Sequence, residues 1–293
     1  TKQVEKLPQI KSFKVPEKGG SFLAYLLEKE EPKKAKADST KVVQSKSTKN
    51  STKDKKDIPL ELVVRNLLSG QKKSFKNVLN YEFSENGNQL IFSTKQEKKD
   101  SLDQTKYGVY LLNTKTFIEK QLVDTIGDFK QFAFDEHSNK VAFVGTTDEE
   151  KKTNKTYHFY LTTTTNKENS KKIEFTGLKE DWVISEHRQP KFSQDGKFIF
   201  LGVAPKLAEK DTTLIAEDFA KVDIWSYKDE FIQPQQLKNL EREQKRSYLA
   251  VIDVDNPTNL LQLGDLDMNN VELLNEGNSP FALGISDNAY RLS

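Results

Sequence analysis

The sequence predicts an all-β chain built as part of a β-propeller, with about four blades of four short antiparallel strands forming an incomplete ring. Two observations carry that prediction. A phenylalanine-led hairpin signal recurs at intervals of 51 and 58 residues, and behind each recurrence the same succession of strand-like runs follows. Composition agrees with them. Apolar residues make up 35% of the 293 and charged residues 31%, a balance that suits thin, loop-rich layers better than a thick α/β core.

The hairpin signal is plainest at FSQDGKFIFLGV, Phe192 to Val203, where an Asp-Gly pair feeds a hydrophobic run. Its relatives are FSENGNQLIFST, Phe83 to Thr94, and FDEHSNKVAFVGT, Phe134 to Thr146. The turn centres, Asn86-Gly87, Ser138-Asn139 and Asp195-Gly196, are residue types that tolerate positive φ. A degenerate copy, KGGSFLAYLL from Lys18 to Leu27, puts Gly19-Gly20 in the same place. Second strands follow at Leu60 to Asn66, Gly108 to Thr114, His158 to Thr164 and Tyr248 to Val254. Shorter third strands come next, in QKKSFKN, EKQLVD, KKIEFTG and LLQLGD, and the next phenylalanine belongs to a fourth.

A single four-stranded sheet cannot bury both of its faces, so each blade needs its neighbour. Inner strands such as FIFLGV are therefore apolar on both faces, while outer strands such as QKKSFKN carry lysines that discourage edge pairing. On this reading residues 1–18 lead in, and the blades fall near 19–82, 83–133, 134–191 and 192–286.

Two insertions break the period. Residues 29–57 are rich in Lys, Ser and Thr with no aromatic residue, the composition of a disordered, solvated loop. Residues 204–245 differ in kind: Trp225, Tyr227 and Phe231 precede a helix-like run from Gln235 to Arg246, which suits an ordered excursion over the propeller surface.

Charge excludes a nucleic-acid partner. The net charge is +2, but residues 29–57 hold ten lysines against five acids, so the remainder is acidic. The absence of cysteine excludes disulfides and thiolate chemistry. No apolar run approaches the ~18 residues of a membrane span. The sequence begins at Thr1 rather than Met and stops at Ser293 inside an ordered-looking segment, so a fragment of a longer polypeptide is expected.

Catalytic motifs are wanting. A serine hydrolase of the α/β class needs Gly-x-Ser-x-Gly at a strand-to-helix elbow, and GISDN around Ser286 lacks the second glycine. His137, His158 and His187 have no second histidine at ligand spacing, and no glycine-rich loop precedes a helix, so no cofactor or metal is expected. Asp265, Asp267, Asn269 and Glu276 match positions of a calcium loop, but Asn270 and Glu272 break the pattern and strands flank it. That stretch is an acidic inter-strand loop. In EDWVISEHRQP, Glu180 to Pro190, Trp182 fits packing between blades, whereas Glu186 and Arg188 are the candidate substrate-binding residues.

These residues also carry a resemblance. The strings DWVISEHRQPKFSQDGKFIFLGVAP, KVDIWSYKDEFIQPQQL and RSYLAVIDV resemble the propeller of prolyl oligopeptidase family serine peptidases, closest to bacterial dipeptidyl and acylaminoacyl peptidases. The resemblance covers about Gly19 to Ser293 and is most specific from Asp181 to Val254. It implies a C-terminal α/β-hydrolase domain in the same polypeptide, bearing the Ser, Asp and His that this chain lacks. The propeller would then be non-catalytic and gate access of oligopeptides. Export to the periplasm or secretion is also implied. In dipeptidyl peptidases an acidic segment after Asp-Trp-Val binds the substrate's amino terminus; here Asp181-Trp182-Val183 matches and Glu186 is the nearest acid, but the paired glutamates are missing. Aminodipeptidase specificity is therefore not implied. The other class open to these residues is a stand-alone propeller that scaffolds proteins or binds a ligand.

Overall fold

A computed structural model describes residues 6–7, 9–28, 58–96, 107–149, 152, 154–165, 169–208, 226 and 229–290. The described residues are nearly all β. The first blade comprises β1 (Ile10–Lys14), β2 (Phe22–Leu27), β3 (Leu60–Asn66) and the first half of β4 (Lys72–Phe83). The second comprises the rest of β4 with β5 (Gln89–Thr94), β6 (Gly108–Asn113) and β7 (Glu119–Val123). Strand β4 serves twice, pairing β3 up to Val78 and β5 from Val78 onward, with a bulge at the changeover. The third blade holds β8 (Asp128–Phe134), β9 (Lys140–Thr146), β10 (His158–Thr163) and the two-residue β11 (Lys172–Ile173). In the fourth, β12 (Trp182–Ile184) and β13 (Lys191–Phe192) both lie on β14 (Phe198–Pro205), followed by β15 (Tyr248–Asp253) and β16 (Leu260–Gln262). A lone hairpin, β17 (Asn270–Leu273) with β18 (Ala282–Ile285), comes after it. All the pairings between these strands are antiparallel.

The recurring motif has a hydrogen-bond explanation. The residue after each anchor phenylalanine turns its side-chain oxygen back across the turn. Ser84 Oγ accepts from the Gln89 N–H at 3.0 Å, Asp135 Oδ1 from Lys140 at 2.6 Å and Ser193 Oγ from Phe198 at 2.9 Å. The tight turn closes by Gly87, Ser138 and Gly196 donating to the carbonyls of Ser84, Asp135 and Ser193. All three donors have positive φ, 70°, 61° and 69°. Glycine supplies that geometry freely; Ser138 adopts it in the third blade.

Stacking of blades is visible residue by residue, because neighbouring side chains on a strand point to opposite faces. On β5, Leu90 and Phe92 enter the core shared with the first blade, while Ile91 enters the core shared with the third. On β9, Val141 and Phe143 face the second blade and Ala142 and Val144 face the fourth. Each of these strands is thus buried on both sides.

Two expectations need correction. Residues 10–14 are not a lead-in but the inner edge strand of the first blade, paired to β2 from Ile10↔Leu27 to Lys14↔Ala24. Each anchor phenylalanine ends the strand that heads its own blade, since Phe83 pairs Leu90, Phe134 pairs Val141 and Phe192 pairs Ile199 across the turn. The blades therefore begin several residues upstream of the anchors. The reason is that a tight hairpin binds the two strands it joins, so the anchor goes with the strand after it. Of the second insertion, the described part holds α1 (Gln233–Gln244), which starts near Pro234 and buries no residue. The loop expected at 29–57, with Trp225 and Tyr227, lies outside the described residues.

Candidate functional site

The inner strand of the fourth blade is broken. After β12 the chain bulges through residues 185–190 and rejoins the sheet at β13. Asp181 enters β12 with φ of 60°, the same corner that Gln9 and Asn77 make before β1 and the second-blade half of β4. The bulge carries Glu186 and Gln189 toward the third blade, where they meet Lys130, Gln131 and Phe132.

Beside it lies a cavity of about 450 Å³ between the third and fourth blades. Ligand pockets of small molecules fall in this size range. Tyr157, Ile184, Ala204, Pro205 and Tyr248 give it apolar walls, and Lys155, Glu186, Glu243 and Arg246 give it charge. Trp182 meets Tyr248 of the same blade edge-on at 5.2 Å, and it is partly buried against the core that the third and fourth blades share.

Glu186 sits at that wall in a charged cluster. Its Oε2 accepts from the Lys130 ammonium, which also lies 3.3 Å from Asp128 Oδ2. The Tyr157 hydroxyl donates to Asp128 Oδ2 at 2.9 Å, and the Lys130 ammonium stands 5.0 Å from the centre of the Tyr157 ring. Lys155 approaches Asp128 at 3.9 Å, and His187 Nε2 lies 3.9 Å from Glu186 Oε1. Main-chain contacts fix the same seam: Gln131 Nε2 donates to the Glu186 carbonyl at 2.8 Å, and Gln189 Nε2 donates to the Phe132 carbonyl at 2.5 Å. Gln131 takes φ of 57° inside β8 to aim its amide there.

The electrostatics follow from half-burial. Burial disfavours the Lys130 ammonium, but Asp128 and Glu186 outweigh it and hold the lysine above its ordinary pKa. Burial likewise disfavours the Glu186 carboxylate, yet Lys130 overcomes it and the carboxyl ends below its usual range. Burial, then the nearby Asp128 and Glu186, push the Tyr157 phenol far up, so it stays a donor. Burial lowers His187, which is therefore neutral near pH 7.

Arg188, the other residue singled out by the sequence, lies off the pocket wall. Its side chain crosses Gly202, where any Cβ would stand 2.6 Å from the Arg188 Cβ. The guanidinium donates to Ser247 Oγ and to the Ser247 carbonyl, both at 3.1 Å, tying the bulge to β15. Asp265 is occupied too, accepting from the Asp267 and Met268 N–H groups and pairing with Lys179 at 3.0 Å. Sequence reasoning missed Asp128, Lys130 and Tyr157. A usable signal existed: Lys130 and Glu186 both precede an anchor phenylalanine by a few residues, on inner strands of adjacent blades.

No protein-family model matches the sequence, and no curated protein matches it. Among solved structures it is similar to TolB from Acinetobacter baumannii, at 14% identity and a TM-score of 0.40, over 89% of this chain and 46% of that one. It is similar to the acylaminoacyl peptidase of Pyrococcus horikoshii at 12% identity and a TM-score of 0.41, over 88% of this chain and 32% of that one. A third similarity is to the β-propeller domain of the Trilobed protease from Pyrococcus furiosus, at 11% identity and a TM-score of 0.30, over 86% of this chain and 71% of that one. The chain spans less than half the length of the first two. Among the described residues no helix is long and apolar enough to cross a membrane.

Proposed function

We propose that this chain is the non-catalytic, substrate-gating propeller of a serine peptidase that acts on oligopeptides, periplasmic or secreted, its α/β-hydrolase domain lying elsewhere in the same polypeptide. The observation that carries the reading is the pocket between the third and fourth blades. Its wall is made in part by Val183 to His187, within the DWVISEHRQP stretch from Asp181 to Pro190 that bears the peptidase resemblance, and its volume of about 450 Å³ accommodates a few residues of peptide. Apolar walls supply non-specific affinity for side chains, and Glu186 supplies polarity. Arg188 contributes by holding the bulge in place against Ser247.

Two measurements on the purified chain test this. Calorimetric titration with tri- to hexapeptides is expected to give saturable binding that weakens at least about tenfold when Ala204→Trp fills the pocket. A fluorophosphonate serine probe is expected to leave the chain unlabelled. Absence of any peptide binding sinks the gating role in favour of a scaffold, and stoichiometric labelling sinks the non-catalytic assignment.

A further inference from the structure

The cluster beside the pocket has the composition of an ammonium receptor. Two carboxylates, Asp128 from the third blade and Glu186 from the fourth, converge on one point, and the Tyr157 ring faces it. Carboxylates satisfy the N–H groups of an ammonium, and an aromatic face adds cation–π attraction that grows on desolvation. The point is filled, by the Nζ of the chain's own Lys130. A second cation, Lys155, stands farther off, 3.9 Å from Asp128 Oδ2.

We infer that Lys130 is an internal ligand of this receptor: it occupies the place an incoming ammonium would take, so the pocket holds peptides without reading a free amino terminus. The inference rests on the peptide-binding reading for its consequence but not for the receptor itself. Three features distinguish an internal ligand from an ordinary surface ion pair. The Lys130 side chain is 25% exposed, and among the described residues only Lys155, 3.9 Å from the same Asp128, is a less exposed paired lysine, while Lys14, Lys18 and Lys197 pair at 42–72% exposure. Its partners come from two blades whose inner strands are fixed to one another by Gln131 and Gln189, so the receptor is preorganised by the fold rather than by Lys130. Tyr157 and Glu186 also line the pocket, so a vacated receptor opens onto it.

The test vacates the receptor. Lys130→Ala shortens the side chain and leaves Asp128, Glu186 and Tyr157 in place. Calorimetric titration with n-butylammonium chloride, against sodium chloride at equal ionic strength, is expected to show no saturable binding to the wild-type chain. Lys130→Ala is expected to bind it at least about tenfold more tightly, and Glu186→Gln on that background to abolish the gain. With peptides, free and N-acetylated forms are expected to bind the wild type alike, and free forms to gain about tenfold in Lys130→Ala. A folded Lys130→Ala that gains nothing overturns the inference, as does a wild type that prefers free amino termini. Should Lys130→Ala fail to fold, acetylation footprinting of the wild type decides. Lys130 is expected to react far more slowly than the exposed Lys197, and equal reactivity overturns the proposal. If no peptide binds the wild type, the gating role falls while the butylammonium result still stands by itself.

Discussion

The seam between the second and third blades and the seam between the third and fourth are made by opposite faces of the same strands, yet they are different materials. The first is aromatic and dry: Phe129 and Phe143 are fully buried, Phe143 stacks on Tyr160 at 5.0 Å, and Gly145 exists because a Cβ there would stand 2.1 Å from the Phe129 ring. The second buries aromatic rings too, Tyr157, Phe159, Phe192 and Tyr248, but sets them among the small Ala133, Ala142 and Ala250, and a broken inner strand leaves room for a pocket and an ionic cluster. Strand β9 alone shows the contrast, sending Phe143 one way and Ala142 the other. A repeated scaffold can thus close one seam and open the next into a polar cavity.

If that division holds, stability concentrates in the aromatic seam. Phe143→Ala is expected to cost about 3–5 kcal/mol in denaturant unfolding, and Phe159→Ala, equally buried but in the core of the other seam beside the pocket, is expected to cost less. Equal losses would erase the comparison. The ionic seam is expected to show itself at acid pH instead. The folded-state pKa of Glu186 lies below its unfolded value, so its contribution is complete above the unfolded pKa and disappears as pH falls through the folded one. Glu186→Gln is therefore expected to cost about 1–2 kcal/mol at pH 7 and little at pH 3, when wild type and variant are compared by denaturant midpoint. A difference that persists unchanged at pH 3 would mean that the carboxylate's charge is idle.

The two seams were not equally legible in the sequence. The blades announced themselves because their turn chemistry is local: Ser84, Asp135 and Ser193 each bond a residue five positions on. The near-continuous apolar runs, FIFLGV among them, also stated which strands are buried on both faces. Blade boundaries were harder, since a phenylalanine before a turn looks the same whether it opens a sheet or closes one. For the site, Glu186 could be found through its neighbours Asp181, Trp182 and Val183. Its partners could not. Lys130 is 56 positions away, and Tyr157 lies 29 from Asp128, so only the register between blades brings them together. A single sequence carries strand periodicity well but says little of which inner-strand residue will meet which across a seam.

Two lysines give the finest test of the contrast, Lys120 at the first seam and Lys130 at the second, because their environments have opposite sign. Lys120, on β7, pairs across the sheet with Leu111 and so shares its face, toward the aromatic seam; its Nζ is occluded and has no hydrogen-bond partner among the described residues. Burial lowers its pKa. A lysine with a depressed folded-state pKa binds fewer protons folded than unfolded, so it penalises the fold at neutral pH and the penalty fades as pH rises toward the unfolded value. Lys130, held above its ordinary pKa, does the reverse: its contribution is complete below the unfolded pKa and is lost only as pH rises through the higher folded value. Lys120→Met is therefore expected to stabilise the chain by about 0.5–1 kcal/mol at pH 7, since it removes an unpaired polar group from an apolar setting. The gain should shrink by pH 10, while the loss caused by Lys130→Met stays level over the same range. Denaturant midpoints at the two pH values measure both. A Lys120→Met variant that loses stability at pH 7 would show that the aromatic seam tolerates a charge at its edge, and would remove the main chemical difference between the two seams.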